Sequence, residues 1–252
     1  MAQTTARRQM VVAKNYEELC NSAAQKILTL SQEAINERGR CAMALSGGST
    51  PQGVYSLMAS DAYVGKFDWN NIHFFLGDER WVPINNFRSN YKMITDALGV
   101  NAKIPISHVH PVNTDLPDVQ AAAALYEQQL VSFFGLTSGE MPPFDIVLLG
   151  LGEDGHTASL FPGDSTVNET KKLAVPVEAE GITEKRITLT LPLINNSRSI
   201  LFLVSGSGKA QMLKKIFEEK ELLPAGRVNP RQGALWFVDE SAASALNSRN
   251  DR

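Results

Sequence analysis

The sequence is poor in the features that mark whole classes of protein. Only two of its 252 residues are cysteines, Cys20 and Cys41, and they form no pairing pattern. That excludes a disulfide scaffold and leads us to expect a reducing, cytoplasmic setting. No run approaches the roughly 18 apolar residues a membrane span requires. The opening MAQTTARRQM has no apolar core of the kind a secretory signal carries. Lys and Arg number 24 against 27 Asp and Glu, for a net charge of −3, and no Lys/Arg cluster offers nucleic acid an electrostatic footprint. Neither nucleic acid nor membrane is expected as a partner. A Walker loop is missing, and Gly206-Ser207-Gly208 is followed by Gln211 where a dinucleotide fingerprint needs glycine. No Gly-x-Ser-x-Gly elbow marks a serine hydrolase. His73, His108, His110 and His156 are scattered, without the Cys or Glu-x-x-His partners of a metal site, so neither metal nor cofactor is expected.

What remains is an ordinary globular composition, 43% hydrophobic and 20% charged, in a chain long enough for a substantial core. Apolar runs alternate with helical patterns. Strands are read at 10–14, 41–46, 72–77, 107–112, 144–150, 186–191, 199–206 and 233–239. Helices are read at 16–35, from Thr50-Pro51 onward, at 89–98, about 117–134, 208–220 and briefly after 239. The first helix has Leu19, Ala23, Ile27, Leu30 and Ala34 at helical spacing, Asn15 as cap, Glu18 in the capping-box position and Gly39 as its stop. Thr50 reads as the N-cap of the next helix, with Pro51 at its first position. Strands 72–76, 144–149 and 200–204 are apolar on both alternations, the mark of buried parallel strands. The expected fold is α/β: one domain over 10–246, a mainly parallel twisted sheet with helices on both faces, modified Rossmann-like. A disordered tail at 1–9 and a polar tail at 247–252 are expected to flank it.

In open parallel sheets, ligands bind beyond the carboxyl ends of the strands. Four polar clusters fall there, at 46–50, 77–80, 152–156 and 205–209. In LSGGSTP, Gly47 and Gly48 let the backbone approach a ligand, while Ser46, Ser49 and Thr50 bring hydroxyls to a helix N-terminus. That suits a phosphate or carboxylate, but a tight strand-to-helix turn needs small residues too. Asp78, Glu79 and Arg80 form either a solvated loop with an internal ion pair or a mouth where Arg80 reaches an anion, oriented by a carboxylate. Lys209, in a first helical turn, opposes the helix dipole; a bound anion would explain it, and simple exposure would tolerate it. His156, in GLGEDGHTASLFPG, is a polar residue at a helix start on one reading and a proton acceptor on the other.

The clusters also occur as an ordered set. LSGGSTP (45–51), GDERWVP (77–83), SNY (89–91), GLGEDGHTASLFPG (150–163), RITLTLPLINNSRSI (186–200), LFLVSGSGKA (201–210) and WFVDESAA (236–243) follow one another in a way that resembles the 6-phosphogluconolactonases. The related glucosamine-6-phosphate deaminases share the Gly-Gly turn and the Asp-Gly-His. They differ after the histidine, where Thr157-Ala158-Ser159-Leu160-Phe161-Pro162 has the lactonase form, and they usually carry tyrosine where Arg80 stands. One departure is INNSRS (194–199), where lactonases often have small apolar residues.

The resemblance implies hydrolysis of 6-phosphoglucono-δ-lactone to 6-phosphogluconate in the pentose phosphate pathway, with no covalent intermediate. It implies His156 as general base, oriented by Asp154, with Glu153 or a backbone carbonyl as alternatives. Ser46, Gly47, Gly48, Ser49, Thr50 and Asp78 would surround the phosphosugar. Arg80 and Lys209 would hold its phosphate, although either could instead face the developing oxyanion. A small-molecule lactone is the only partner expected, and a monomer the expected state, with a weak homodimer as the alternative.

Overall fold

Strands that are apolar on both alternations are stable only where both faces of a sheet are covered. The computed structural model describes residues 8–99, 101–137, 139–179 and 181–247. Its strands are β1 (Gln9–Ala13), β2 (Cys41–Leu45), β3 (Ile72–Leu76), β4 (Asp78–Arg80), β5 (Val109–His110), β6 (Ile146–Leu149), β7 (Ala174–Val177), β8 (Arg186–Leu189), β9 (Ser199–Val204) and β10 (Ala234–Asp239). Its helices are α1 (Tyr16–Arg38), α2 (Ser49–Met58), α3 (Asn90–Leu98), α4 (Val119–Phe134), α5 (Leu191–Asn195) and α6 (Ala210–Lys214). Seven strands form one parallel sheet in the order β1-β10-β9-β6-β2-β3-β5, and β4-β8-β7 form a small antiparallel sheet.

That order explains the two helical layers. The connections β1 to β2, β2 to β3 and β3 to β5 run one way across the sheet; β5 to β6, β6 to β9 and β9 to β10 run back. Right-handed crossovers therefore put α1, α2 and α3 on one face and α4 and α6 on the other. The ring contacts agree. Phe75 of β3 meets Phe133 of α4, and Trp236 of β10, on the same face by register, meets Phe217 just beyond α6. Among the described residues, no helix is long and apolar enough to cross a membrane.

Local signals worked where side chains act on their own backbone. Asn15 Oδ1 accepts from Glu18 N at 2.9 Å, and Gly39, at φ 75°, closes α1 by donating to Ile35 O at 2.8 Å. Glu18 departs from a strict capping box, because its carboxylate takes the N–H of Lys14 rather than that of Asn15.

Several expectations need correction. Thr50 is not the N-cap of α2. Gly48 is, at φ 104°, so Ser49, Thr50 and Pro51 are already helical, and proline is tolerated because a first turn leaves its N–H groups unpaired anyway. The expected strand at 107–112 shrinks to two residues after a 3₁₀ turn over Ile106–His108. The strand at 186–191 joins the small antiparallel sheet, not the large one. β4 escaped notice because three charged residues carry no apolar alternation, and β7 because Pro176 interrupts it, which an edge strand allows. The helix at 208–220 is a 3₁₀ turn, a short α6 and a π segment, and turns replace the short helix after 239. The expected tail at 1–9 lies largely outside the described residues, but Gln9 opens β1 and the Arg8 guanidinium donates to Ile216 O and Gly226 O. Likewise 248–252 lie outside them.

The histidines away from the cleft gather at the β3–β5 edge. His73 Nδ1 lies 3.2 Å from His110 Nε2, and the His73 and His108 rings are 4.1 Å apart. Burial and then His108 push both His73 and His110 from 6.5 down to about 4, with Arg40 adding to the effect on His73. Both are thus held neutral in the fold. The stability this gives is fully present above the unfolded value near 6.5 and is lost as the pH falls toward 4. Melting temperature is therefore expected to drop across that window. In His110→Phe, which keeps the stack on Phe75, the drop should be shallower; equal slopes in scanning calorimetry would remove the cluster as its cause.

Candidate functional site

β2 and β6 lie side by side, yet the chain leaves β2 in one direction and β6 in the other. Such a switch point opens a crevice at the carboxyl ends of the strands. A cleft of about 190 Å³ lies there. Ser46, Gly47, Gly48, Ser49, Thr50, Asp78, Arg80, His156 and Lys209 all line it. Asp154 does not, and stands beside the histidine.

The first wall is the β2–α2 turn. A side chain at Gly47 would collide with Asn90 Oδ1 at 2.0 Å, so glycine is required there by the approach of α3. Ser46 is buried, and its Oγ has no partner. Its backbone is held from beneath by Tyr55, whose hydroxyl accepts from Ser46 N at 3.1 Å and donates to Ser46 O at 3.0 Å. Tyr126 does the same for Leu76 at the end of β3, at 2.8 Å to both N and O. Two buried phenols thus replace the strand partners that β2 and β3 lose where the cleft opens.

The second wall is the turn after β3. Glu79, 1% exposed, accepts from Arg80 N, Asn90 N, Tyr91 N and Ser89 Oγ at 2.7–3.0 Å. Burial raises its pKa, and these hydrogen bonds oppose the rise. Asp78, also buried, accepts from Ser159 Oγ at 2.6 Å, while Asn90 Nδ2 donates to the Asp78 backbone oxygen at 2.9 Å. Arg80 Nη1 donates to Arg88 O at 2.7 Å, and its Nε is buried without a partner.

The third wall carries the histidine. No helix follows His156: a bridge between Thr157 and Leu160 turns the chain, so the reading of a helix-start residue falls away. Gly152 N donates to His156 O at 2.8 Å, and a side chain at Gly152 would strike His156 Nδ1 at 2.1 Å. Asp154 Oδ1 lies 2.6 Å from His156 Nδ1 and accepts from His156 N at 3.0 Å. Burial pushes the Asp154 carboxyl up, but the His156 N–H, the ring's charge and the ring hydrogen bond outweigh it, leaving the pKa below its ordinary value. Glu153 turns instead toward Lys209, 3.7 Å away. Phe161 packs on the imidazole with centroids 4.7 Å apart.

Sequence reasoning missed Arg186, Asn90 and Ser159. Arg186 lines the cleft directly across the β4–β8 ladder from Arg80, its Nη1 3.9 Å from Asp78 Oδ2. Burial, the largest cause, lowers its pKa. The available signal was a charge opening an otherwise uncharged strand, RITLTL. Asn90 stood within SNY, but only its contacts in the fold, with Gly47, Asp78 and Glu79, give it a role.

Removing the phenol beneath the Gly47-Gly48 turn tests how the cradle is held. Tyr55→Phe leaves a buried N–H and C=O unmatched and should cost about 1–3 kcal/mol in urea unfolding. A cost indistinguishable from zero would mean that the turn holds itself.

The chain has clear relatives. The family of glucosamine-6-phosphate isomerases/6-phosphogluconolactonase matches residues 14–237. A 6-phosphogluconolactonase of Synechocystis sp. is 37% identical over 241 residues, 94% of this chain and 98% of that protein. One from Rattus norvegicus is 38% identical over 240 residues, 92% of this chain and 91% of that protein. The solved 6-phosphogluconolactonase of Trypanosoma cruzi superposes with a TM-score of 0.86 at 29% identity, covering 98% of this chain and 100% of that one. With the ordered motifs converging on one cleft and relatives matched over nearly their whole length, the chain belongs to the glucosamine-6-phosphate isomerase/6-phosphogluconolactonase family, on its lactonase branch.

Proposed function

We propose that the cleft hydrolyses 6-phosphoglucono-δ-lactone to 6-phosphogluconate, with His156 as general base and no covalent intermediate. The observation that carries this reading is the Asp154–His156 pair. With Nδ1 donating to Asp154 Oδ1 at 2.6 Å, Nε2 is left as the proton acceptor of the ring. A δ-lactone is an activated ester, so water needs only a base, a position and charge stabilisation. His156 takes a proton as water attacks the lactone carbonyl. The tetrahedral oxyanion then collapses, the bond to the ring oxygen breaks, and the imidazolium returns the proton to that oxygen.

The sugar phosphate, remote from the reacting carbon, supplies binding energy that fixes the lactone against His156. Arg80 and Lys209 hold it, together with the N–H and hydroxyl groups of Ser46, Gly47, Gly48, Ser49 and Thr50. Asp78 holds the second wall in place through Ser159 and Asn90. Every residue invoked belongs to one copy of the chain and to one α/β domain over 10–246. A monomer therefore suffices, acting in the oxidative pentose phosphate pathway of the cytoplasm.

The assay is acid release from enzymatically generated lactone, above the spontaneous rate. His156→Ala should lose at least about 10²-fold in kcat; retained turnover would reject the base. Asp154→Asn, which removes the carboxylate that orients the ring through Nδ1, should lower kcat with little change in KM, and an unchanged kcat would deny the coupling. Lys209→Ala should chiefly raise KM; a fall in kcat alone would place it on the oxyanion.

A further inference from the structure

The second wall holds a charge arrangement that the hydrolytic step does not itself require. Arg80 and Arg186 are direct partners across the antiparallel β4–β8 ladder. Like charges placed opposite each other on a sheet are unfavourable. Water screens them poorly here, since the Arg186 side chain is only 17% exposed. The neighbouring acids, Asp78 above all, offset the repulsion on Arg186, but each of them also has another partner. Glu79 is committed to the start of α3, and Glu184 is paired with Arg88. Asp78 Oδ2, 3.9 Å from Arg186, already accepts from Ser159 Oγ at 2.6 Å. Each guanidinium also keeps a buried Nε–H with no partner. Donors left unmade in this way are rare in folded proteins and call for an acceptor.

We infer that Arg80 and Arg186 form a paired-guanidinium clamp for the substrate's phosphate dianion, and that Arg186 makes the site selective for a phosphorylated sugar. The inference rests on the phosphosugar reading above and adds to it a residue and a cause of specificity. Two planar forks offer a tetrahedral oxyanion several N–H donors at set angles. A dianion between them turns mutual repulsion into attraction. Arg186 also lies over the Phe161 ring, 5.6 Å from its centroid, which restrains the fork before the ligand arrives. An unphosphorylated lactone would leave the two cations facing each other, so the pair rejects it as well as preferring the phosphate.

The test is titration calorimetry of the whole chain with inorganic phosphate, alongside lactone kinetics. Arg186→Gln and Arg80→Gln should each raise the phosphate Kd about 10- to 100-fold. The double variant should lose much less than the product of the two single losses, because the residues act as a unit. KM for the lactone should rise in parallel in Arg186→Gln. Arg186→Lys, which keeps the charge but not the fork, should still bind phosphate more weakly than the native chain, and it carries the test if the glutamine variant does not fold. Unchanged phosphate affinity in Arg186→Gln, multiplicative losses in the double variant, or a fall in kcat with phosphate affinity retained would each overturn the clamp. If the lactone is not hydrolysed but phosphate binds and the losses occur, the clamp stands and the hydrolytic reading fails. If the lactone is hydrolysed and phosphate affinity ignores Arg186, only the clamp fails.

Discussion

The cleft depends on one buried carboxylate. Glu79 gathers three backbone N–H groups and a serine hydroxyl, and three of those four donors belong to residues 89–91 at the start of α3. A helix start carries unpaired N–H groups and favours negative charge, so the acid and the helix stabilise each other. This bond set pins α3 to the turn after β3. It thereby fixes Asn90 against Gly47 on one side and Asp78 on the other, and it sets where Arg80 leaves the sheet. Loss of Glu79 would release two walls of the cleft at once.

The rest of the site follows from how two sheets meet. The parallel sheet brings the β2 and β6 turns together, because its connections reverse direction between these strands. The small antiparallel sheet then closes one side, carrying Arg80 and Arg186 on neighbouring strands. The histidine loop completes the enclosure, with Asp154 behind the ring and Phe161 against it. The wall presents three cations, Arg80, Arg186 and Lys209, while the acids nearby are engaged with backbone groups, hydroxyls or other cations. Such an imbalance suits an anionic substrate, and burial strengthens it by limiting solvent screening.

What could be read beforehand was whatever the chain signals locally. The parallel strands were legible because burial on both faces leaves near-continuous apolar runs. α1 was legible because Asn15 and Gly39 act on their own backbone. The positions of Gly47, Arg80, His156 and Lys209 at strand ends were legible once parallel strands were assumed. β4 was not, since its side chains are charged and only the hydrogen bonds of Glu79 and Asp78 make their burial tolerable. Arg186 was passed over because its partner lies 106 positions away in the chain, at Arg80. The work of the Tyr55 and Tyr126 hydroxyls was not legible, because each bonds the end of a strand that only the fold brings beside it.

By itself, then, the sequence determined the fold class, most of the strands and helices, and the four turns that meet at the cleft, because each of these follows from periodicity, capping and the φ freedom of glycine. Tertiary structure alone decided that Asn90 closes on Gly47, that Glu79 is buried against the start of α3, and that two arginines distant in the chain are partners across a ladder. Those outcomes rest on long-range contacts and on the burial of charge, which depend on what else has been brought alongside.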